Sequence, residues 1–373
     1  MLKIKKEAVI IRPRDVKPTS KKFKVVGTFN PGATRLPNGD IVLYVRVAEK
    51  LIRTEDKNYC YSPRCEGRNN CKIKVDKFDK KDVESNSYFD CVFKDGTKRL
   101  TFISHLRRVI LDKTGLKVKS IDRKPSFQGL DSDGELGIED PRITKIGNQY
   151  IMTYVALSRQ GNIHTNYASS KDCKVWKREG IIFREQNKDV VIFPEKIGGK
   201  YIAFNRPEGN FEFSPPHIWL SDSPDLIHWG HPKPIQLSKK GSWDYSRVGA
   251  GPPPIKTDKG WLLIYHGVIE KKKNNNFLAK FFGFMKEYSV YNAGAALFDL
   301  ENPRKLIAKT PKPIILPTNE YEKKGLVNNV VFPTGLVLDQ NKKDLLIYSG
   351  CGDSVVTVKR IALKDVMDSL KDV

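Results

Sequence analysis

The chain has 373 residues, 39% of them hydrophobic and 29% charged, which is enough apolar sequence for a large core in one or two domains and excludes an intrinsically disordered chain. Its formal net charge is +23, with a pI near 9.6. Such an excess attracts anions of every kind, but the lysines are spread along the whole chain and no helix-turn-helix, RNA-recognition or finger pattern accompanies them, so nucleic-acid binding is not expected.

The opening stretch "MLKIKKEAVIIRPRDV" has no uninterrupted apolar region and no small-residue cleavage site, and no apolar run anywhere reaches the length of a membrane span. A secretory signal and membrane contact are therefore not expected. A strand signal follows at Asn38, "NGDIVLYVRV": a Gly-containing turn, then a short β-branched and aromatic run. Cys60, Cys65 and Cys71 cluster in "CYSPRCEGRNNC", while Cys91, Cys173 and Cys351 are scattered. Their C-x4-C-x5-C spacing is not that of common zinc sites. Free thiols in an exposed insertion, at about residues 54–95, are the preferred reading; a metal or disulfide staple completed by Cys91 is the alternative. Reduced thiols fit a cytoplasmic location.

The turn-and-strand pattern of Asn38 returns as "GNQYIMTYVAL" from Gly147, "GGKYIAFNRP" from Gly198, "KGWLLIYHGV" from Lys259 and "KKDLLIYSG" from Lys342, with a weaker copy, "DGTKRLTFISHL", from Asp95. A second repeat, "SSKDCKVWKREG" from Ser169 and "SDSPDLIHWGHP" from Ser221, reads as a polar hairpin turn closed by a tryptophan. Several strands per repeat, at intervals of roughly fifty to sixty residues, predict an all-β propeller in one catalytic domain over 1–373; a β-sandwich is the competing architecture. A second insertion, about 270–288, holds "EKKKNNNFLAKFFGFMKEYS" and predicts a short helix that is apolar on most faces, a candidate cap for the site or contact with a second subunit. The end, "ALKDVMDSLKDV", predicts a short amphipathic helix with Val366, Met367 and Leu370 on one side.

Chemistry concentrates in "GELGIEDPRIT", from Gly134 to Thr144. Taken alone it is a solvated Asp-Pro turn or the acid end of an active site. It stands, however, in an ordered series: "FNPGATRLPNGDIVLYVRV", "GIEDPRIT", "NKDVVIFPEKIGGKYIAFNRP", "IWLSDSPDLIHWG", "VGAGPPPIKTDKGWLLIYHGV", "YNAGAALFDLENP", "NNVVFPTG" and "IYSGCGDS". From about Phe29 to Asp353 this series resembles glycoside hydrolase family 130, the β-mannoside phosphorylases and their hydrolytic relatives.

The resemblance implies a five-bladed β-propeller and an inverting attack of inorganic phosphate on a β-mannoside, giving α-mannose 1-phosphate and a shortened acceptor sugar. It implies Asp140 as general acid, its proton passing through a hydroxyl of the sugar. Arg46, Lys188, Arg206, His266 and Asn30 match phosphate contacts, with Arg206 able to grip two oxygens as a fork. Glu139, Arg142, Asp244, Tyr245 and Asp353 match substrate-side positions. No metal or organic cofactor is implied; the partners are phosphate and a mannose-containing oligosaccharide. The insertion at 54–95 does not resemble the family strongly and is expected to form loops beside the acceptor sugar. "GAGPPP" at Gly249 is no nucleotide loop, because its prolines lack the N–H donors a phosphate cradle needs.

The chemistry separates the alternatives. Water must be deprotonated as it attacks, so an inverting hydrolase needs a second carboxylate, here Glu195 or Glu208. Phosphate is already an anion and needs cations instead. The basic set favours phosphorolysis over hydrolysis, and the retained acid argues against a non-catalytic glycan-binding propeller.

Overall fold

The computed structural model describes residues 2–52, 56–131, 133–208, 213–272 and 287–373. Five antiparallel sheets, each built on four strands, succeed one another around a ring. The first blade runs Phe23–Arg35, Ile41–Leu51, Phe102–Leu111 and Val118–Ile121; the second runs Gly137–Ile146, Gln149–Ser158, Asn162–Ser170 and Lys177–Phe183. The third is Asn187–Ile192, Tyr201–Pro207, Trp219–Ser223 and Gly230–Pro234, and the fourth Arg247–Ala250, Gly260–Lys272, Glu287–Phe298 and Leu306–Lys309. In the fifth, Val331–Leu338, Asp344–Cys351 and Val355–Ala362 are completed by Ile4–Ile11 from the other end of the chain.

Five of the six repeated runs are the second strands of the five blades; the weaker copy at Asp95 leads into the third strand of the first blade. Their unbroken hydrophobicity has a packing cause. A second strand is covered on both faces, so alternation of polar and apolar residues is lost. Ile41, Leu43 and Val45 pack with Leu346, Tyr348 and Val358 of the fifth blade, while Val42 and Tyr44 point the other way, to Ile143 and Met152 of the second. The remaining interfaces repeat this between neighbouring blades, around Ala203, Phe204 with Trp261, and Ile264 with Ile347.

The tryptophan turns join third to fourth strands. Ser170 Oγ accepts from Cys173 N–H at 3.0 Å and Asp172 Oδ1 from Lys174 N–H at 2.8 Å; Ser223 Oγ accepts from Leu226 N–H at 2.9 Å and Asp225 Oδ1 from Ile227 N–H at 2.9 Å. Trp176 and Trp229 then meet Tyr44 and Phe183 of the preceding blade. The C-terminal helix, Leu363–Asp368, buries Val366, with Met367 and Leu370 packed against the same cluster. The helix expected at 270–288 lies, over 273–286, outside the described residues. No helix among the described residues is long and apolar enough to cross a membrane.

The first insertion differs from expectation. It is not an exposed loop of free thiols but two small sheets between the second and third strands of the first blade: Tyr59–Glu66 with Lys72–Asp79, and Val83–Asn86 with Asp90–Phe93 and Lys98–Leu100. Cys65 and Cys71 are joined in a disulfide across the first hairpin's tip, and Cys60 and Cys91 are buried thiols facing each other. Burial pushes the Cys91 thiol up to about 12. Reduced thiols therefore no longer argue for a cytoplasmic location.

Ring closure is anchored by a buried lysine. Lys359, opposite Glu7 in the strand pairing, forms ion pairs with Glu7 and with Glu322 at 2.8 Å. Glu322 is itself fully buried in the short helix Glu320–Lys323 and accepts from Thr318 N–H at 2.7 Å. Lys359→Met would leave the Glu322 carboxylate buried without its cation, a loss of about 3–5 kcal/mol. Urea unfolding at neutral pH should show that drop, whereas exposed Lys5→Met should change stability by less than about 1 kcal/mol.

Candidate active site

Three innermost strands break register at one residue in the left-handed backbone region. These are Asn30 (φ 46°), Asp140 (φ 51°) and Asp189 (φ 53°), with shifts between Phe29 and Gly32, Glu139 and Arg142, and Lys188 and Val191. Asn and Asp tolerate this conformation far better than branched residues do, and a bulge re-aims the side chain. All three side chains line one cavity of about 230 Å³ where the blades converge. Lys188 joins them from the same innermost strand as Asp189, and second strands and loops add Arg46, Arg206, His266 and Asp353.

Asp140 is held from one side. Its Oδ1 accepts from Asn30 Nδ2 at 2.9 Å and from Arg46 Nη1 at 3.0 Å. Oδ2 has no partner among the described residues, so it is the oxygen able to carry a proton toward a ligand. Arg46 also pairs with Glu139, takes Ser104 Oγ at 3.2 Å through Nε, and lies 4.5 Å over the Phe29 ring. Burial raises the Glu139 carboxyl above its ordinary range despite Arg46.

Asp189 is the anchor of the opposite wall. Arg206 Nε donates to its Oδ2 at 2.7 Å, and Arg142 Nη2 lies 3.4 Å from Oδ1. The Arg206 and Arg142 guanidiniums outweigh the burial penalty and hold this carboxyl well below its usual range. Arg206 pairs also with Glu208. Two of its N–H groups are thus taken by carboxylates, and the fork expected to grip phosphate is largely occupied. Lys188, across the strand pair from Arg206, has no ion pair among the described residues. His266 is fully buried, 4.4 Å from the Phe332 ring. Burial, reinforced by the surrounding arginines, pushes it down to about 3, so it is a neutral imidazole. Its Nε2 is 3.5 Å from Asp189 Oδ2, yet neither ring nitrogen has a hydrogen-bond partner among the described residues. Gly249, opposite His266 in the sheet, has no room for a Cβ: it would overlap Asp189 and His266.

The structure brings together Asn30, Arg46, Glu139, Asp140, Lys188, Arg206, His266 and Asp353. Three expected substrate contacts do not line the cavity. Arg142 is buried behind it, donating to Gly251 O and to Asp140 O, both at 2.7 Å; it positions the Asp140 backbone. Asp244 is fully buried inside the fourth blade, its oxygens taken by Tyr265 Oη at 2.8 Å and Ser242 Oγ at 2.5 Å. Tyr245 belongs to the same turn. Of the two alternative bases, Glu195 lies outside, paired with Lys256, and Glu208 is inside but held by Arg206 and, at 3.4 Å, by Arg247. Sequence reasoning missed Asp189, Arg247 and Tyr291. Asp189 alone carried a signal: like Asn30 and Asp140, it is an Asn or Asp in the strand preceding a repeat. "GAGPPP" proves to start at the end of the innermost strand Arg247–Ala250, and it supports Arg142 through Gly251.

Residues 113–372 match the family model described as beta-1,4-mannooligosaccharide phosphorylase. Over 98% of this chain and 97% of the relative, the sequence is 33% identical to a beta-1,2-mannobiose phosphorylase of Listeria innocua. It is 36% identical to a 1,2-beta-oligomannan phosphorylase of Thermoanaerobacter sp. over 71% of this chain and 81% of that one. The crystal structure of the Listeria innocua beta-1,2-mannobiose phosphorylase with beta-1,2-mannobiose superposes with a TM-score of 0.82, covering 96% of both chains at 32% identity.

Asp353 (φ 50°) closes the cavity near Arg46. Burial, with Asp140 and Glu139 acting the same way and Arg46 opposing, raises it to about 6. A carboxyl raised on folding contributes fully below its unfolded value near 3.8, and the contribution is lost as pH rises through about 6. Asp353→Asn removes that penalty. The variant should be more stable than the parent by on the order of 2–3 kcal/mol at pH 7.5 and nearly equal to it at pH 4. Denaturant midpoints at the two pH values check this.

Proposed function

The chain belongs to glycoside hydrolase family 130 and is a mannoside phosphorylase, and from that premise we propose how its polar cavity works and which bond it cuts. Asp140 is the general acid, and inorganic phosphate is the nucleophile, held by Lys188 with Nη2 of Arg206 and the one ring N–H of His266. The observation that carries this reading is the pairing state of the cavity. Among the described residues, Asp189, Glu208 and Glu139 are each engaged by arginine, and Asp353 lies at the other end of the cavity, so no unpaired carboxylate stands beside Lys188 and His266 to activate a water held there. Lys188 and His266, in contrast, keep donors without partners, as an anion site requires.

A phosphate oxygen attacks the anomeric carbon from the face opposite the leaving oxygen. The C–O bond breaks with its electron pair going to that oxygen, which takes the Asp140 proton. The product is α-mannose 1-phosphate, and the proton of the phosphate hydroxyl restores Asp140. A neutral His266 fits this role, because it donates one hydrogen bond without trapping the anion as a full charge would. Full-length likeness to the Listeria innocua enzyme supports a β-1,2 linkage. A cytoplasmic location follows from the chemistry: phosphorolysis conserves the bond as a charged sugar phosphate that a membrane retains.

Asp140→Asn should lower turnover by on the order of 10²–10⁴-fold with the fold intact. Lys188→Ala is the cleaner probe of the anion site, since Arg206 has carboxylates to neutralise. It should raise the apparent phosphate constant about 10–150-fold, the worth of one charge-assisted bond. Initial rates on β-1,2-mannobiose at varied phosphate measure both. Parent cleavage that proceeds equally without phosphate and releases free mannose would replace this reading with hydrolysis.

A further inference from the structure

A second chamber, of about 310 Å³, opens from the polar cavity and shares Arg46, Glu139, Val327 and Asp353 with it. Lys188, Arg206 and His266 line only the polar part, so the second chamber lies at the opposite end from the anion site. Its walls are of a different kind. Away from the shared boundary they are Val26, Phe29, Leu100, Phe102 and Leu157, together with Tyr88 and Phe89. These last two stand in the turn between the strands Val83–Asn86 and Asp90–Phe93, within the first insertion.

The aromatic turn is preformed. Lys50 Nζ and Thr101 Oγ1 both donate to Tyr88 O at 2.6 Å, and Thr101 N–H donates to Phe89 O at 3.0 Å. Lys50 also lies 3.8 Å over the Tyr88 ring, and Phe89 packs edge-on against Tyr88 at 5.2 Å. Yet Tyr88 is 47% and Phe89 38% exposed. Two rings held rigidly but left uncovered, beside aliphatic walls, form a surface that lacks a partner.

In-line displacement fixes what that partner is. The attacking oxygen, the anomeric carbon and the leaving oxygen lie on one line. With the anion at Lys188, the leaving group departs toward the aromatic chamber. We propose that the inserted sheet makes this chamber a subsite for an apolar leaving group: an aryl or alkyl substituent carried by the sugar that is released, packed against Tyr88 and Phe89. Among the described residues, the walls apart from the Tyr88 hydroxyl and the groups at the boundary are apolar side chains, so an unsubstituted sugar gains little there, whereas an apolar group buries its surface against both rings. The inference rests on the phosphorylase reading of the adjoining cavity.

The test runs the reaction in reverse, with mannose 1-phosphate and either mannose, p-nitrophenyl β-mannoside or octyl β-mannoside as acceptor, following phosphate release. The parent enzyme should favour the two substituted acceptors by about 10-fold or more in kcat/KM, the worth of one buried aromatic face. Tyr88→Ser and Phe89→Ser should each reduce that preference severalfold. Equal kcat/KM for mannose and both substituted acceptors in the parent overturns the proposal without any variant, and so does a preference that survives both substitutions. Phosphate release with mannose but without preference defeats this proposal alone. No phosphate release with any acceptor defeats the phosphorylase reading and the proposal with it.

Discussion

A left-handed backbone at a single Asn or Asp in three innermost strands is the constraint on which the site depends. In a regular strand, the residue after Glu139 would point back into the sheet. The bulge turns Asp140 toward the axis instead, and Arg142, two residues on, returns its guanidinium to the Asp140 carbonyl and fixes the bulge from behind. Asn30 and Asp189 repeat the device in neighbouring blades. Asp140, the asparagine that orients it and the anchor of the opposite wall are thus one structural solution used three times. The local strain is offset by the pairing and packing of long second strands.

Charge balance gives the cavity its selectivity. A protein with a net charge of +23 might be expected to hold a plainly basic pocket. The cavity instead sets Arg46, Arg206 and Arg247 against Glu139, Asp189 and Glu208 in close pairs. Such pairs orient one another and cost desolvation that only good geometry offsets. What remains for a ligand is small and directional: one ammonium, one guanidinium edge and a neutral imidazole. The surface charge brings anions near, and this short list of donors decides which one stays.

Much of the fold was legible in the sequence because the second strand of each blade is buried on both faces and therefore reads as an unbroken run. The ambiguous sixth run belonged to the third strand of the first blade, where an insertion had displaced the repeat. The convergence of Asp140, Arg46 and Lys188 on one cavity was legible through the ordered motifs. Asp244 was misplaced because a buried carboxylate satisfied by Tyr265 and Ser242 looks, in sequence, like one that faces a ligand. The Cys65–Cys71 bond was obscured by a spacing that fits several arrangements. Arg247 and Tyr291 could not be read at all: they bond to each other at 3.1 Å across 44 positions, and only the curvature of the ring brings them to the cavity.

Closure by Ile4–Ile11 carries a consequence for biosynthesis. Lys359 meets Glu7 across 352 positions. The strand Ile4–Ile11 must wait, unpaired, until the fifth blade has left the ribosome. Long-range pairing of this kind is slow, because the entropy of closing the loop is spent before any contact repays it. During that interval both the waiting strand and the fifth blade present open edges, the form in which nascent chains add to one another. The same step brings Asn30 and Asp353 to the same cavity, so catalytic competence arrives last and all at once. Emerging activity is therefore a direct clock for the final closing event of folding.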